Sequence, residues 1–431
     1  MSRLTGLRLA LSILVAAPSG AAAADARVAH TQLESSTPAA GDTVMATPRE
    51  LVLTFGGLVE EAGAFFRLLG PSGRNWTLEG SRLPGSARAL TSPMPALAPG
   101  AYRLEWRVIS GDGHPISGDF VFFVGAGGGA GGRPTELGTP PPPSAEGLGS
   151  HEAAGRAPAG GAASAWLMVT RAGADAAVLL LAGLLMFGSL GGGVPSARTA
   201  TVTLALSAAA PALVAVYAWL WSGSVLGGGG AARIDALASL FTGRALTAEL
   251  VLVAFAPWAL LLARRPRLAM VFAGSSIVAG AFAGHASSYT PLVSVPASAL
   301  HQLVVATWLG GLLFLVTEAR SATFARSARR VSDAALGAVA AVALTGLLQG
   351  WLLIDSLAQA LSTPYGLLLL GKVAGLLGLV VFGVYHRFRL MPALASPDGA
   401  ARLSRSVRME LAVALGVVTL AAVLSHIPPN P

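Results

Sequence analysis

Apolar residues alternate with polar ones over the first third of the chain and then gather into unbroken runs over the rest. Between His30 and Val124 the period is two: in Tyr102-Arg103-Leu104-Glu105-Trp106-Arg107-Val108 the apolar and charged side chains fall on opposite faces of a strand. Further strands are predicted at Glu50 to Phe55, Phe65 to Leu69 and Asp119 to Val124, punctuated by turns such as Gly70-Pro71-Ser72-Gly73. Short half-buried strands without helical periodicity predict a small β-sandwich or barrel. Beyond residue 165 the apolar runs reach the length needed to cross ~30 Å of hydrocarbon. They predict eight transmembrane helices at about 167–190, 199–222, 244–263, 268–286, 297–317, 332–354, 364–385 and 407–427.

Two further segments complete the layout. Arg3 and Arg8, the apolar run Leu9 to Ala17 and Ala21 to Ala24 have the order of a secretory signal over 1–24, so the chain beyond that segment is expected to be exported. Residues 125–165, with glycine runs and Pro140 to Pro143, read as a linker between a 30–124 β domain and a 166–431 helical domain. His151 falls in that linker and is expected to be solvated and passive.

Composition sharpens this picture. The chain is 53% hydrophobic and 12% charged, against about 25% charge in average domains, so its apolar residues must meet lipid. The formal charge of +8 does not signal nucleic acid, because Arg concentrates in loops between the apolar runs. Arg198, Arg264, Arg265, Arg267, Arg320, Arg326, Arg329, Arg330, Arg387, Arg389, Arg402, Arg405 and Arg408 fall on one side; only Arg171, Arg233 and Arg244 lie near the other. The positive-inside rule then puts the β domain and the C-terminus outside a plasma membrane. No cysteine is present, which excludes disulfides, thiolate metal sites and CxxC chemistry.

The candidate chemistry is carried by histidines and a few intramembrane charges. His30 and His114 belong to the outer domain, and His285, His301 and His426 fall at or near the outer ends of helices; His386 is on the inner side. Imidazole is a common ligand for borderline metals, so this gathering at one face predicts metal capture. Asp175, Glu249 and Lys372 lie inside the apolar runs at a shared depth, where charges are costly unless paired. They predict either a buried Lys–carboxylate pair or part of an ion pathway, while Glu410 is expected to begin the last helix. No Walker sequence, HExxH or nucleophile elbow occurs, so neither nucleotide binding nor enzymatic activity is expected.

The segment from His30 to Gly41, the strand Leu51 to Phe55 and above all Trp106-Arg-Val-Ile-Ser-Gly-Asp-Gly-His-Pro-Ile-Ser-Gly118 resemble the periplasmic copper-binding CopC family. The helical half resembles the copper resistance protein CopD through Gly284-His285-Ala286, His301 with Trp308 to Gly311, Gly371-Lys372 and Glu410 ahead of Pro428-Pro429. The resemblance implies a cupredoxin-like or immunoglobulin-like sandwich that binds Cu(II) through His30, Asp112 and His114. It also implies copper movement through the helical half, generally inward, with His285 and His301 as acceptors and His426 as a third neighbour. The family's chelate by the terminal amine requires cleavage just before His30, at residue 29, whereas the small-residue rule favours cleavage after Ala24. Only Met45 and Met94 occur in the outer domain, so no Met-rich Cu(I) site is expected there.

The expected function is therefore copper binding outside the membrane and copper homeostasis across it, with copper ion, the bilayer and periplasmic copper carriers as partners. Two alternatives remain at this point: a haem b electron-transfer protein using histidines of two helices, and a copper-sensing or assembly module that transports nothing.

Overall fold

The structure is a computed structural model that describes residues 31–71, 73–125, 161–190, 195–227, 229–287, 291–353, 357–396 and 398–427. The expected signal segment, His30, His151 and most of the linker lie outside the described residues. Nine strands make the β domain: β1 (Leu33–Thr37), β2 (Thr43–Val44), β3 (Glu50–Phe55), β4 (Val59–Leu69), β5 (Asn75–Glu79), β6 (Ser81–Arg82), β7 (Ala89–Pro93), β8 (Gly100–Ser110) and β9 (Pro115–Val124). They form a four-stranded sheet in the order β1-β3-β7-β6 and a five-stranded sheet in the order β2-β9-β8-β4-β5. Alternation decides which faces meet. Leu51, Leu53 and Phe55 of the first sheet and Phe66, Tyr102, Leu104, Trp106 and Phe122 of the second are buried in one core. Phe55 meets Trp106 edge to face at 5.4 Å. On the opposite face of the second sheet, Arg67–Glu105 and Arg103–Asp119 pair at 2.8 and 2.9 Å. Their exposure limits each to at most about 1 kcal/mol.

The helical half contains α1 (Gly161–Leu190), α2 (Ala197–Val225), α3 (Gly230–Ser239), α4 (Phe241–Leu261), α5 (Pro266–Gly280), α6 (Pro291–Thr317), α7 (Phe324–Leu353), α8 (Leu357–Ser362), α9 (Pro364–Tyr385) and α10 (Gly399–Leu424). Seven helices among the described residues are long and apolar enough to span a membrane. The eighth expected span, 268–286, is occupied by a shorter helix, and the chain returns through it to the end of the bundle where α4 begins. Its helix α5 has 15 residues and stops at Gly280, and the chain continues through turns into a short 3-10 segment at His285–Ser287. At 1.5 Å per residue α5 rises about 22 Å, less than the hydrocarbon thickness. Helices α7 and α10 each begin eight residues before the expected start, because amphipathic Arg-bearing turns extend them beyond the apolar run. Glu410 is consequently interior to α10, and only 2% exposed, rather than at its beginning.

Helices α1 and α6 cross where Gly183 meets Gly310. A Cβ on Gly183 would overlap the Ala306 carbonyl oxygen, so the two backbones touch. Half of α1's most apolar window is buried, against 6% for α9, which places α1 in the middle of the bundle and α9 at its lipid-facing edge.

Candidate metal site and its docking surface

Strand β8 ends at Ser110 and β9 begins at Pro115, and the turn between them is pinned by its own backbone. The Gly113 amide donates to the Ser110 carbonyl at 2.8 Å, the Ser110 amide to the His114 carbonyl at 2.9 Å, and the Gly111 amide to the Leu58 carbonyl at 2.8 Å. Gly113 takes φ +84°, a conformation that favours glycine. The Ser110 hydroxyl donates to Asp112 Oδ1, fixing the carboxylate beside the histidine. His114 Nδ1 then lies 3.2 Å from Asp112 Oδ1.

Burial disfavours the charged imidazole, but the Asp112 carboxylate outweighs it by charge and by hydrogen bond, so His114 is held above its ordinary value of 6.5. Two donors bound at right angles to one ion at ~2.0–2.1 Å stand about 2.9 Å apart, so the Asp112–His114 separation fits shared coordination of a metal. The carboxylate oxygen and imidazole nitrogen are suitable donors for Cu(II). Among the described residues no group of three such side chains is assembled. The third ligand implied by the family resemblance, His30, lies outside the described residues.

The same turn rests on the helical half. Ser287, two residues beyond His285, has its hydroxyl 3.3 Å from the Gly111 carbonyl and 2.8 Å from the Gly284 carbonyl of its own turn, and a Cβ on Gly113 would meet Trp221 and Thr242 at 2.9 Å. Around this contact Ile109 is buried with Tyr217, Trp221, Val225, Ala236, Leu240 and Leu246. Two charges complete the junction. Arg107 Nη2 donates to the Val225 carbonyl at the C-terminus of α2 at 2.8 Å, and Glu60 Oε1 accepts from the Phe241 amide, the first of α4, at 3.0 Å. A cation at a helix C-terminus and an anion at an N-terminus are both favourable, and α4 has no side-chain cap of its own. Burial in this junction lowers the Arg107 value from its ordinary one. The charge pattern of β4 and β8 gave no sign of these roles, since alternation marks a charged face without saying what covers it.

Beneath the junction the structure gathers Asp175 and Glu249, around Arg171 rather than Lys372. Arg171 Nε lies 3.0 Å from Asp175 Oδ1, one helical turn along α1, and Arg171 Nη1 lies 3.8 Å from Glu249 Oε2 on α4. The guanidinium stacks over Tyr217 at 5.1 Å. Gly280 leaves room for the Glu249 carboxylate, which a Cβ there would meet at 2.8 Å. The expected Lys–carboxylate pair is thereby corrected for these two acids. Arg171 precedes Asp175 by four residues, a spacing legible in the sequence as an i,i+4 pair. His426 joins this region through an edge-on contact with Tyr217 at 6.1 Å, its Nδ1 bonded to the Ala422 carbonyl at 2.8 Å.

His301 stands ten residues into α6, with Nδ1 2.8 Å from the Thr345 hydroxyl of α7. The backbone of His285 lies in the 3-10 turn at the docking junction, while its side chain is outside the described ones.

Comparison with known proteins gives two family matches. The CopC domain matches residues 33–125, and Copper resistance protein D matches residues 325–424. The second match covers α7 to α10 and begins beyond His285 and His301. The chain is 31% identical over 170 residues to the copper transport protein CutJ of Bacillus subtilis (strain 168), covering 38% of this chain and 30% of that relative's length. It is 32% identical over 108 residues to copper resistance protein C of Escherichia coli, covering 22% of this chain and 82% of that one. Among solved structures, CopC from Methylosinus trichosporium OB3b is 35% identical over 22% of this chain and 94% of its own, with a TM-score of 0.21.

Proposed function

Since the chain belongs to the CopC family through its β domain and carries a CopD domain in its helical half, we propose that it binds Cu(II) at Asp112 and His114 and hands it to the helical half. The observation that carries this reading is the seating of the Ser110–His114 turn on the helix ends, through Ser287, Thr242 and Trp221. A metal held on that turn is released within reach of the membrane half, without free diffusion between them. His30 is the third ligand, and the imidazole and carboxylate donors favour Cu(II) over Cu(I). The Arg distribution supports a β domain on the outside, with copper carriers of that compartment as the donors, and the family resemblance supports inward movement. His285, two residues from the contact at Ser287, is the first acceptor, and His301 lies further along the path on α6.

The test has two arms. Asp112→Ala and His114→Ala in the full chain should weaken Cu(II) binding in titrations of the purified protein. His285→Ala with His301→Ala should leave that binding intact and abolish copper accumulation by expressing cells. Unchanged Cu(II) affinity in the first pair removes the metal site, and unchanged accumulation in the second removes the transfer route.

A further inference from the structure

At the Arg-rich end of the bundle, far from the docking junction, lies a second buried cluster. Glu410 of α10 is 2% exposed and His386, just beyond α9, is 8% exposed. His386 Nδ1 approaches Glu410 Oε2 at 3.1 Å, and His386 Nε2 lies 2.7 Å from the Ser406 hydroxyl. Trp308 Nε1 of α6 donates to Glu410 Oε1 at 3.2 Å. An indole N–H can only donate, so Oε1 accepts from it, and Oε2, buried and without a hydrogen bond, is the oxygen left open to a proton beside the imidazole. One proton held on Nδ1 or on Oε2 gives an imidazolium–carboxylate pair or a neutral imidazole–acid pair, with the same net charge. Adding or removing a proton changes the charge of a buried site, where an uncompensated ion costs several kcal/mol.

Glu318, just beyond the end of α6, is also buried, but it is held by the Ser196 amide and the Thr199 hydroxyl, ten residues from Trp308. Arg387 and Arg389 beside His386, and Arg402, Arg405 and Arg408 on α10, are all exposed, as are Asp333, Arg329 and Arg330 of α7. The half of α1 from Ala176 onward carries no charged residue, and Lys372 lies 14 residues, about 21 Å, up α9 from His386. Among the described residues no third His, Asp or Glu joins this pair.

We propose that His386 and Glu410 form a proton-binding site, filled from the Arg-rich side past Ser406. Trp308 connects it to the rest of the bundle: two residues further along α6, Gly310 touches the Gly183 backbone, and seven residues before it, on the same face, stands His301. A change of charge on Glu410 therefore acts on the helix that carries His301, through a crossing with no slack. This link to copper movement rests on the function proposed above; the proton site itself does not.

The experiment separates the two. Infrared difference spectra of the copper-free full-length protein, recorded across a pH series in detergent, should contain a carboxylic-acid C=O band that Glu410→Gln removes. Loss of a charge-assisted hydrogen bond is worth about one to two pH units, so Trp308→Phe should shift the band's midpoint by about that much. A band pattern unchanged in both variants overturns the proton site, whatever copper does. In proteoliposomes, copper flux should depend on the pH at the Arg-rich side in the wild type and lose that dependence in Glu410→Gln. Flux that responds to pH equally in both overturns the coupling.

Discussion

Replacing Arg107 with alanine tests whether the β domain is held on the helix ends by charge placed against helix termini. The lost contact is a 2.8 Å hydrogen bond from a guanidinium to the Val225 carbonyl. Bonds of this charged kind contribute about 1.5–3 kcal/mol, and the favourable position at the C-terminus of α2 is included in that figure. Desolvation of Arg107, visible in its lowered value, opposes the gain, so about 2 kcal/mol is the working estimate for Arg107→Ala. At 1.4 kcal/mol per factor of ten, the docked population should lose roughly 30-fold in its equilibrium constant. The chain has no cysteine, so nitroxide labels on cysteines introduced at the exposed positions Glu79 and Ile234 are unique. Double electron–electron resonance should give one narrow distance in the parent and a broad, longer distribution in Arg107→Ala. Glu60→Ala should act in the same direction through the Phe241 amide. A narrow, unshifted distribution in the double variant would refute the helix-end mechanism, because both opposite charges would then be dispensable.

Two other outcomes are set by the geometry. Because Asp112 holds His114 above its ordinary value, their attraction stabilises the turn fully below about pH 6.5 and is lost as pH rises through the raised value. Copper requires the neutral ring, so binding should strengthen over that same window; Asp112→Asn should lower the His114 midpoint followed by histidine-selective NMR, and an unmoved midpoint contradicts the assignment. At the α1–α6 crossing, Gly183→Ala forces a methyl against backbone and should cost about 2 kcal/mol or more. Gly188→Ala on the same helix meets nothing within 4 Å and should leave thermal unfolding, followed by tryptophan fluorescence, unchanged.

The sandwich, the apolar helices and the Asp112–His114 turn were legible in the sequence, because each arises from local periodicity or from a short motif. Alternation in Tyr102 to Val108 fixes which side chains enter the core wherever the strand lies, and hydrocarbon thickness sets the length of an apolar run. Helix ends were less legible: the amphipathic turns at Phe324 and Gly399 carry Arg, and hydropathy does not distinguish a solvated helical turn from a loop. Apart from the i,i+4 pair Arg171–Asp175, pairing within the bundle was not legible. Asp175 and Glu249 share Arg171 instead of Lys372, and Glu410 meets His386 and Trp308, because partners on three helices are chosen by crossing angle and rotation, which side-chain identity does not encode. The seating of the metal-binding turn on Ser287, Thr242 and Trp221 belongs to the same class. The chain's local chemistry says that a charged strand face and an uncapped helix end each need a partner, and only their placement in space decides that they satisfy one another.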